Sequence, residues 1–451
     1  MVRCDRAGLP IQVTDPLGAT TTYERDAFGR PVVVRDPLGS TTLLEWSVEG
    51  QLVRRIAPDN SSETWSYDGE GNCTAHTDAI GNVTRSTYTH FDLMTTRTTP
   101  DGAQHAFTHD SELRLTQVTN PQGFTWQYEY DTAGWLVRET DFDGRRVHYE
   151  RDAAGRVVAR TNALGQTVHD AYDQLGRVVE KETPAGTTTF AYDLTGRLAQ
   201  TDGPDGSSTI LRDRFGRVRS ENVDGRIMTF RYDELGRRTG RTTPSGVEAR
   251  WSYDVTGRSV QLQTAGRDVG FAYDSAGHET NRRIGASLSL ANVFDDLGRL
   301  TTQSIIASDG GRCVQQRAYT YRADGHLLGV EDLTSGTQRF DLDAIGRVTS
   351  VEACNWTESH AYDLAGNLTA ASWPQKHPQP APISPSSRTP TAVSSSSLAH
   401  WTAHGFAQFL PRAANTGSST RRTRRPATRA TDESATAVAL GIRPKWGCWI
   451  G

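Results

Sequence analysis

The chain has 451 residues, of which 35% are apolar, 42 are glycine and three are lysine, and its formal net charge is −4. That apolar share is below the usual range for globular domains. No stretch approaches the ~20 apolar residues that cross a bilayer as a helix, and the five cysteines (Cys4, Cys73, Cys313, Cys354, Cys448) are scattered, odd in number and form no CxxC, which argues against a disulfide framework or structural zinc. Charge is uneven: residues 1–370 hold 39 basic and 51 acidic side chains, and residues 371–451 hold ten and two.

The first residues, Met1 to Asp5, carry no apolar signal segment, so synthesis is expected in the cytoplasm. The chain opens inside a repeat, with Asp5 and Gly8 already in register. From there a unit reading Tyr-Asp-x-x-Gly-Arg recurs, clearest at Tyr172–Arg177, Tyr192–Arg197, Tyr232–Arg237 and Tyr253–Arg258. Its glycine position runs through 18 slots from Gly8 to Gly366, in steps of 20 or 21 residues except one of 27 between Gly298 and Gly325. Gly fills 16 slots, Asp92 and Leu113 occupy the others, and Asp stands three residues earlier in 15 of 18. A second turn lies half a period away, as in Asp15-Pro16-Leu17-Gly18, Asp36-Pro37-Leu38-Gly39 and Thr243-Pro244-Ser245-Gly246. Such a fixed period identifies a repeat architecture.

Each period thus contains two turns and two strands. After Gly246, Val247, Ala249, Trp251 and Tyr253 share one face, and Glu248, Arg250 and Ser252 the other. The following strand places Val260 and Leu262 opposite Ser259, Gln261 and Gln263. This alternation predicts antiparallel hairpins with one covered and one wet face. Asp accepts turn amides and Gly takes positive φ. Tyr is expected to form a ladder with its hydroxyl on a polar partner, and Arg to pair with carboxylates of the next turn. The fold class is therefore all-β, a repeat array of antiparallel β-hairpins over residues 1–373, with about 36 strands. Laid flat it would run roughly 170 Å at ~4.8 Å per strand. Sheets beyond ~10 strands do not stay flat, so a spiral, hollow shell is expected.

After Trp373 the period stops. Residues 374–451 form a low-complexity basic tail with runs such as Ser394–Ser397 and Arg421-Arg422-Thr423-Arg424-Arg425. It reads as disordered, as a small toxin or binding domain, or as an out-of-frame or truncated remnant, and the abrupt change of charge favours the last. The arginine cluster reads as a solvated charge run before it reads as a nucleic-acid or membrane contact.

The repeat resembles the YD repeats of Rhs (rearrangement hot spot) proteins, which are similar to those of bacterial wall-associated proteins, insecticidal toxin-complex components and teneurins. The resemblance covers about residues 1–370. It implies a β-strand cocoon that encloses a variable C-terminal toxin in bacterial members, with the toxin cargo, an immunity protein and a type VI secretion apparatus as partners, export or a cell-surface location, and, in older descriptions, carbohydrate binding. The family's Asp-Pro-x-Gly-Leu signature for self-cleavage is not matched: Asp15-Pro16-Leu17-Gly18 and Asp36-Pro37-Leu38-Gly39 are repeat turns near the wrong end.

No HExxH, GxGxxG, GxxxxGK[ST] or GxSxG occurs. An Asp that recurs every 21 residues is a turn device rather than half of a glycosidase pair, and the calcium-solenoid pattern is missing. His105 and His109 are same-face strand positions, and the sequons at Asn60, Asn72, Asn82, Asn355 and Asn367 stand without a secretory signal. No catalytic, cofactor-binding or metal residue is assigned, and the chain is expected not to be an enzyme. The expected function is a structural shell fragment of an Rhs-type protein. The alternatives are a repeat scaffold binding carbohydrate or another partner, and a tail that carries a small toxin.

Overall fold

A computed structural model describes residues 1–308 and 311–373. The tail readings above, Cys448 included, lie outside the described residues. Among the described residues there is no helix, and 36 strands run from β1 (Val2–Cys4) to β36 (Leu368–Ser372). Each strand pairs antiparallel with its neighbours in sequence, as β1 does with Pro10–Thr14 and β36 with Trp356–Tyr362. The result is one uninterrupted meander, a single sheet that does not close on itself.

The turns follow directly from the repeat. At the motif turn Asp173–Gly176, the Gly176 amide donates to Asp173 O at 3.0 Å and the Asp173 amide to Arg177 O at 2.9 Å. A register shift follows between Ala171 and Tyr172. This is a type I turn closed by a left-handed residue and a bulge, which matches the right-handed twist of the flanking strands. All 18 slots have positive φ, including Asp92 at 60° and Leu113 at 65°. The turn geometry therefore overrides residue preference at those two positions.

The second turns explain the mixed period. Where the step is 21 residues, the same three-residue loop with a bulge recurs at nine of eleven, as through Thr243–Gly246; the exceptions pair Ile284 with Leu288 and Asp332 with Gly336 directly. Where it is 20, the loop shrinks to two residues: Pro184-Ala185 joins Thr183 and Gly186, and Asp224-Gly225 joins Val223 and Arg226. The 27-residue step holds the longest strands, β30 (Leu300–Ala307) and β31 (Cys313–Tyr321).

The alternation read at Val247–Gln263 is present. In β25 (Glu248–Tyr253), Ala249 is buried, Trp251 and Tyr253 are half-buried, and Glu248, Arg250 and Ser252 are exposed. Trp251 lies opposite Leu262. Covering of that face is thinner than the pattern predicts, however. Among the described residues ten hydrophobic side chains are buried, Leu44, Val118, Phe230 and Val351 among them, and no large side chain is wholly buried. A single layer has no second sheet to press against, so cohesion comes from the ladder and from contacts between neighbouring hairpins. The opposite face carries cross-strand ion pairs such as Glu24–Arg35 and Glu45–Arg54, of the exposed kind that contributes little to stability.

The sheet winds. Hydrogen bonds join Ser275 to Pro37, Gln122 to Asp363 and Arg347 to Asp101, pairs 238, 241 and 246 residues apart. In strands, each pair lies 23 apart. At ~4.8 Å per strand one winding measures about 110 Å around, the circumference of a tube ~35 Å across. Accumulated strand twist and coiling supply the curvature.

Candidate functional site

The wound sheet is one layer thick, and each hairpin is built from the motif. Asp173 Oδ1 accepts the amides of Leu175 and Arg177, both at 2.9 Å, and Oδ2 accepts Arg177 Nε at 2.6 Å. The Arg177 amide and then its guanidinium hold the Asp173 carboxyl below the usual range. The same arrangement recurs at Asp152–Arg156, Asp213–Arg217, Asp233–Arg237 and Asp254–Arg258. The expected pairing of Arg with a carboxylate of the next turn is thus corrected. Four residues separate Asp from Arg around a tight turn, so the nearest carboxylate is the arginine's own.

Arg does reach the next repeat, through its other nitrogens. Arg156 Nη1 donates to Asp173 O at 3.3 Å, and its guanidinium lies 4.8 Å from the Tyr172 ring centre. Arg217 does the same with Asp233 O and Tyr232. Tyr172 in turn donates its hydroxyl back to Val157 O at 2.7 Å. The tyrosines therefore form no ring-on-ring ladder; eight of the ten motif tyrosines are covered by an arginine from the preceding hairpin, a cation–π contact. Burial raises the Tyr172 hydroxyl pKa. Where Tyr is replaced, another donor takes the same carbonyl: Trp46 Nε1 binds Pro31 O at 2.7 Å, Arg151 binds Leu136 O and Arg212 binds Leu198 O. The position favours a long donor rather than a phenol as such, although Phe294 and Leu342 stand there without one. Glycine has a second reason at Gly155, where a Cβ would meet the Trp135 ring at 2.6 Å.

The second structural element is the seam between windings. Because 23 is odd, the upper turns of one winding meet the lower turns of the next. Arg299 lies 3.7 Å from Asp59, Arg347 3.0 Å from Asp101, and Asn82 donates to Ala344 O at 2.6 Å. A cavity of about 450 Å³ opens along this seam, lined by Leu38, Leu43, Ile56 and Pro58 from one winding and Asp296 from the other.

The third is an aromatic row two residues before the motif tyrosine. It includes Tyr23, Trp65, Phe107, Tyr128, Phe190 and Trp251, in strands where these side chains are half-buried. Trp65 stacks on His76 at 5.0 Å, and Trp126 stacks on Tyr128 at 6.3 Å and meets Phe142 edge-on at 5.5 Å. Trp126 Nε1 is buried without a hydrogen-bond partner. Burial pushes the Tyr128 and Tyr149 hydroxyls well above their ordinary pKa, and Tyr149 donates to Glu139 at 2.6 Å. Sequence reading singled out the motif tyrosine and passed over this row. Its signal was an apolar residue recurring six before 14 of the 18 glycine slots, spread over six residue types.

His105 and His109 fall at opposite ends of β11 (Gln104–His109), about 13 Å apart along the strand, too far to share a metal. Among the described residues no three metal-ligating side chains cluster, and Cys4, Cys73, Cys313 and Cys354 are not joined in disulfides. The repeated aspartates are spread along the turns as single Asp–Arg units. The sequon asparagines occupy turn positions; Asn60, for example, has φ of 63°.

Fold and wall together define a wound, single-layer β-hairpin repeat protein. The RHS Repeat family profile matches residues 5–42, 46–79, 67–104, 109–146, 172–208 and 212–248, and the chain belongs to the RHS (YD-repeat) family. No curated protein sequence matches the chain. Among solved structures, it is similar to a TcdB2-TccC3-TEV crystal structure (TM-score 0.60), to a Photorhabdus luminescens Tc holotoxin pore with mutated TccC3 (0.59), and to TcdB2-TccC3-Cdc42 (0.61). Identity is 15% in each, with 79%, 79% and 80% of this chain covered. The likeness is therefore one of fold. The chain spans 26% of the length of each of those chains.

Proposed function

We propose that this chain is part of an Rhs-type shell, a wall that surrounds a polypeptide cargo in the complete protein, and that the array is not itself an enzyme. The observation that carries this reading is the 23-strand winding, which returns the sheet onto itself and leaves a lumen wide enough for an extended or partly folded chain. The similarity to the TcdB2–TccC3 fold supports the same reading. As in toxin-complex and Rhs relatives, the cargo would be a C-terminal toxin, with an immunity protein and an export apparatus as further partners. Electron microscopy of the purified chain should show a curved hollow wall; a compact globule would overturn the proposal. Protease protection of a reporter peptide fused after residue 373 tests enclosure, and cleavage at the rate of the free peptide would remove it.

A second reading rests on the aromatic row. Half-buried Trp65, Trp126 and Tyr128 make a face able to stack on a sugar ring or a peptide. A glycan array without binders above background would set carbohydrate aside.

A further inference from the structure

We propose that the seam between windings holds a binding site for an ammonium group on an apolar body. The site is the cavity of about 450 Å³ between the turns Asp36–Gly39 and Ala57–Asn60, on the rim of the first winding, and Asp296, on the facing rim of the second. The repeat breaks at this place. Three residues before the motif tyrosine position, each hairpin sets one side chain opposite another on the polar face of the sheet. These pairs include Thr22–Arg35, Thr64–Thr77, Arg85–Thr98, Gln127–Thr140 and His148–Thr161. Each later pair among the described residues, and Ala106–Thr119, also carries at least one polar side chain. Leu43–Ile56 alone is wholly apolar. Val33, opposite Leu43, extends the apolar row to three strands. Leu43 is 39% exposed, and Leu38 at the neighbouring turn tip is 49% exposed. Apolar side chains grouped on a face that is otherwise polar mark a contact site.

A second break faces the first across the seam. In most motif turns the residue after the aspartate is neutral, as Ala344 and Leu364 are on the same rim, but here it is Asp296. Asp295 already accepts the amides of Leu297 and Arg299 and the Arg299 guanidinium. Asp296 is left exposed, with no hydrogen bond or ion pair among the described residues.

The two windings are held together on either side of the cavity. Ser275 Oγ donates to Pro37 O at 3.3 Å, and Arg299 stands 3.7 Å from Asp59. The volume is that of a small-molecule pocket, with Leu38, Leu43, Ile56 and Pro58 as apolar walls and one charged group to orient the ligand. A carboxylate without a partner selects a cation, and the walls select a hydrocarbon body. A ligand bound there touches both windings and pins the seam.

Ligand-observed NMR titration of the full chain with cyclohexylmethylamine tests this, with cyclohexylmethanol and cyclohexanecarboxylate as neutral and anionic counterparts. The amine should bind with a Kd of about 1 mM or below, several-fold more tightly than the alcohol, and the carboxylate should bind more weakly than both. Leu43→Thr with Ile56→Thr installs the pair found at Thr64–Thr77 and should weaken amine and alcohol alike at least tenfold. Asp296→Ala, the residue found at Ala344, should erase the preference for the amine and leave the alcohol unchanged. A free amine and the lysine side chain of a partner share this chemistry. N-acetyl-lysine methylamide separates them: binding tighter than that of cyclohexylmethylamine assigns the site to a side chain, and weaker binding assigns it to a free amine. Should the double variant lose the β-sheet circular dichroism, Asp296→Ala alone decides. Absence of binding by every probe overturns the proposal, and so does an amine affinity that ignores these substitutions.

Discussion

Arg347 and Asp101 stand 3.0 Å apart and 246 residues apart in sequence, on consecutive windings of one sheet. Arg347 also holds Asp343 of its own turn at 2.6 Å. One guanidinium thus serves the local turn and the long-range seam. In a double-mutant cycle with Asp101→Asn and Arg347→Met, we expect a coupling of about 1–2 kcal/mol, as for a charged hydrogen bond with both partners largely covered. Chemical denaturation measures it; a coupling of zero would mean that the windings touch without holding.

Leu113 occupies a glycine slot at φ 65° and is 45% exposed. A left-handed conformation costs a residue with a Cβ roughly 1–2 kcal/mol, part of which returns as glycine's greater unfolded entropy. Leu113→Gly should therefore stabilise by about 0.5–1 kcal/mol. A loss of stability would show that the leucine contributes more by packing than its backbone costs.

Gly236 has φ of 83°. Gly236→Val should cost on the order of 1–2 kcal/mol, felt by the hairpins on either side because repeat stability is a sum over neighbours. Hydrogen exchange should speed up around Arg226–Thr242 and stay slow near Thr41–Trp46. Loss of the whole β-sheet signal would show that the array is one cooperative unit.

Tyr172→Phe removes the bond to Val157 O and keeps the ring beneath Arg156. The expected cost is about 1 kcal/mol, as the half-buried Val157 carbonyl loses this donor. Tyr172→Arg should recover most of it, since Arg151 and Arg212 make the same contact elsewhere. Failure of the arginine variant would establish that the phenol itself is needed.

The turn aspartates set a pH dependence. The carboxyls of Asp152 and Asp173 are held below their ordinary value of 3.8, Asp152 first by the Arg156 side chain and Asp173 first by the Arg177 amide. A lowered folded pKa means the unfolded chain binds more protons on acidification. The stabilisation is full above the unfolded value and is lost as pH falls through the lower, folded one. Denaturation midpoints should be level from about pH 7 to 5 and fall below about pH 4. Asp173→Asn should shrink that fall; a midpoint flat down to about pH 2.5 would remove the turns from the account.

The array was legible because its information is local and repeated. An Asp that accepts two amides and a residue forced to positive φ define a turn within four positions, and 18 such turns reveal 36 strands even where Asp92 and Leu113 replace glycine. The arginine partner was misread because spacing along the chain does not tell on which side of a tight turn a long side chain folds. The aromatic row was missed because its members share burial rather than identity.

By itself, then, the sequence determined the strands, their order and register, and the face each side chain takes, since these follow from turn chemistry and two-residue alternation. Only the tertiary structure decided that 23 strands make a winding, which rims meet, and that Arg347 finds Asp101. Winding number is the sum of small twists and coils over many strands. No single repeat carries that sum, and a slight change in each would bring different turns into contact.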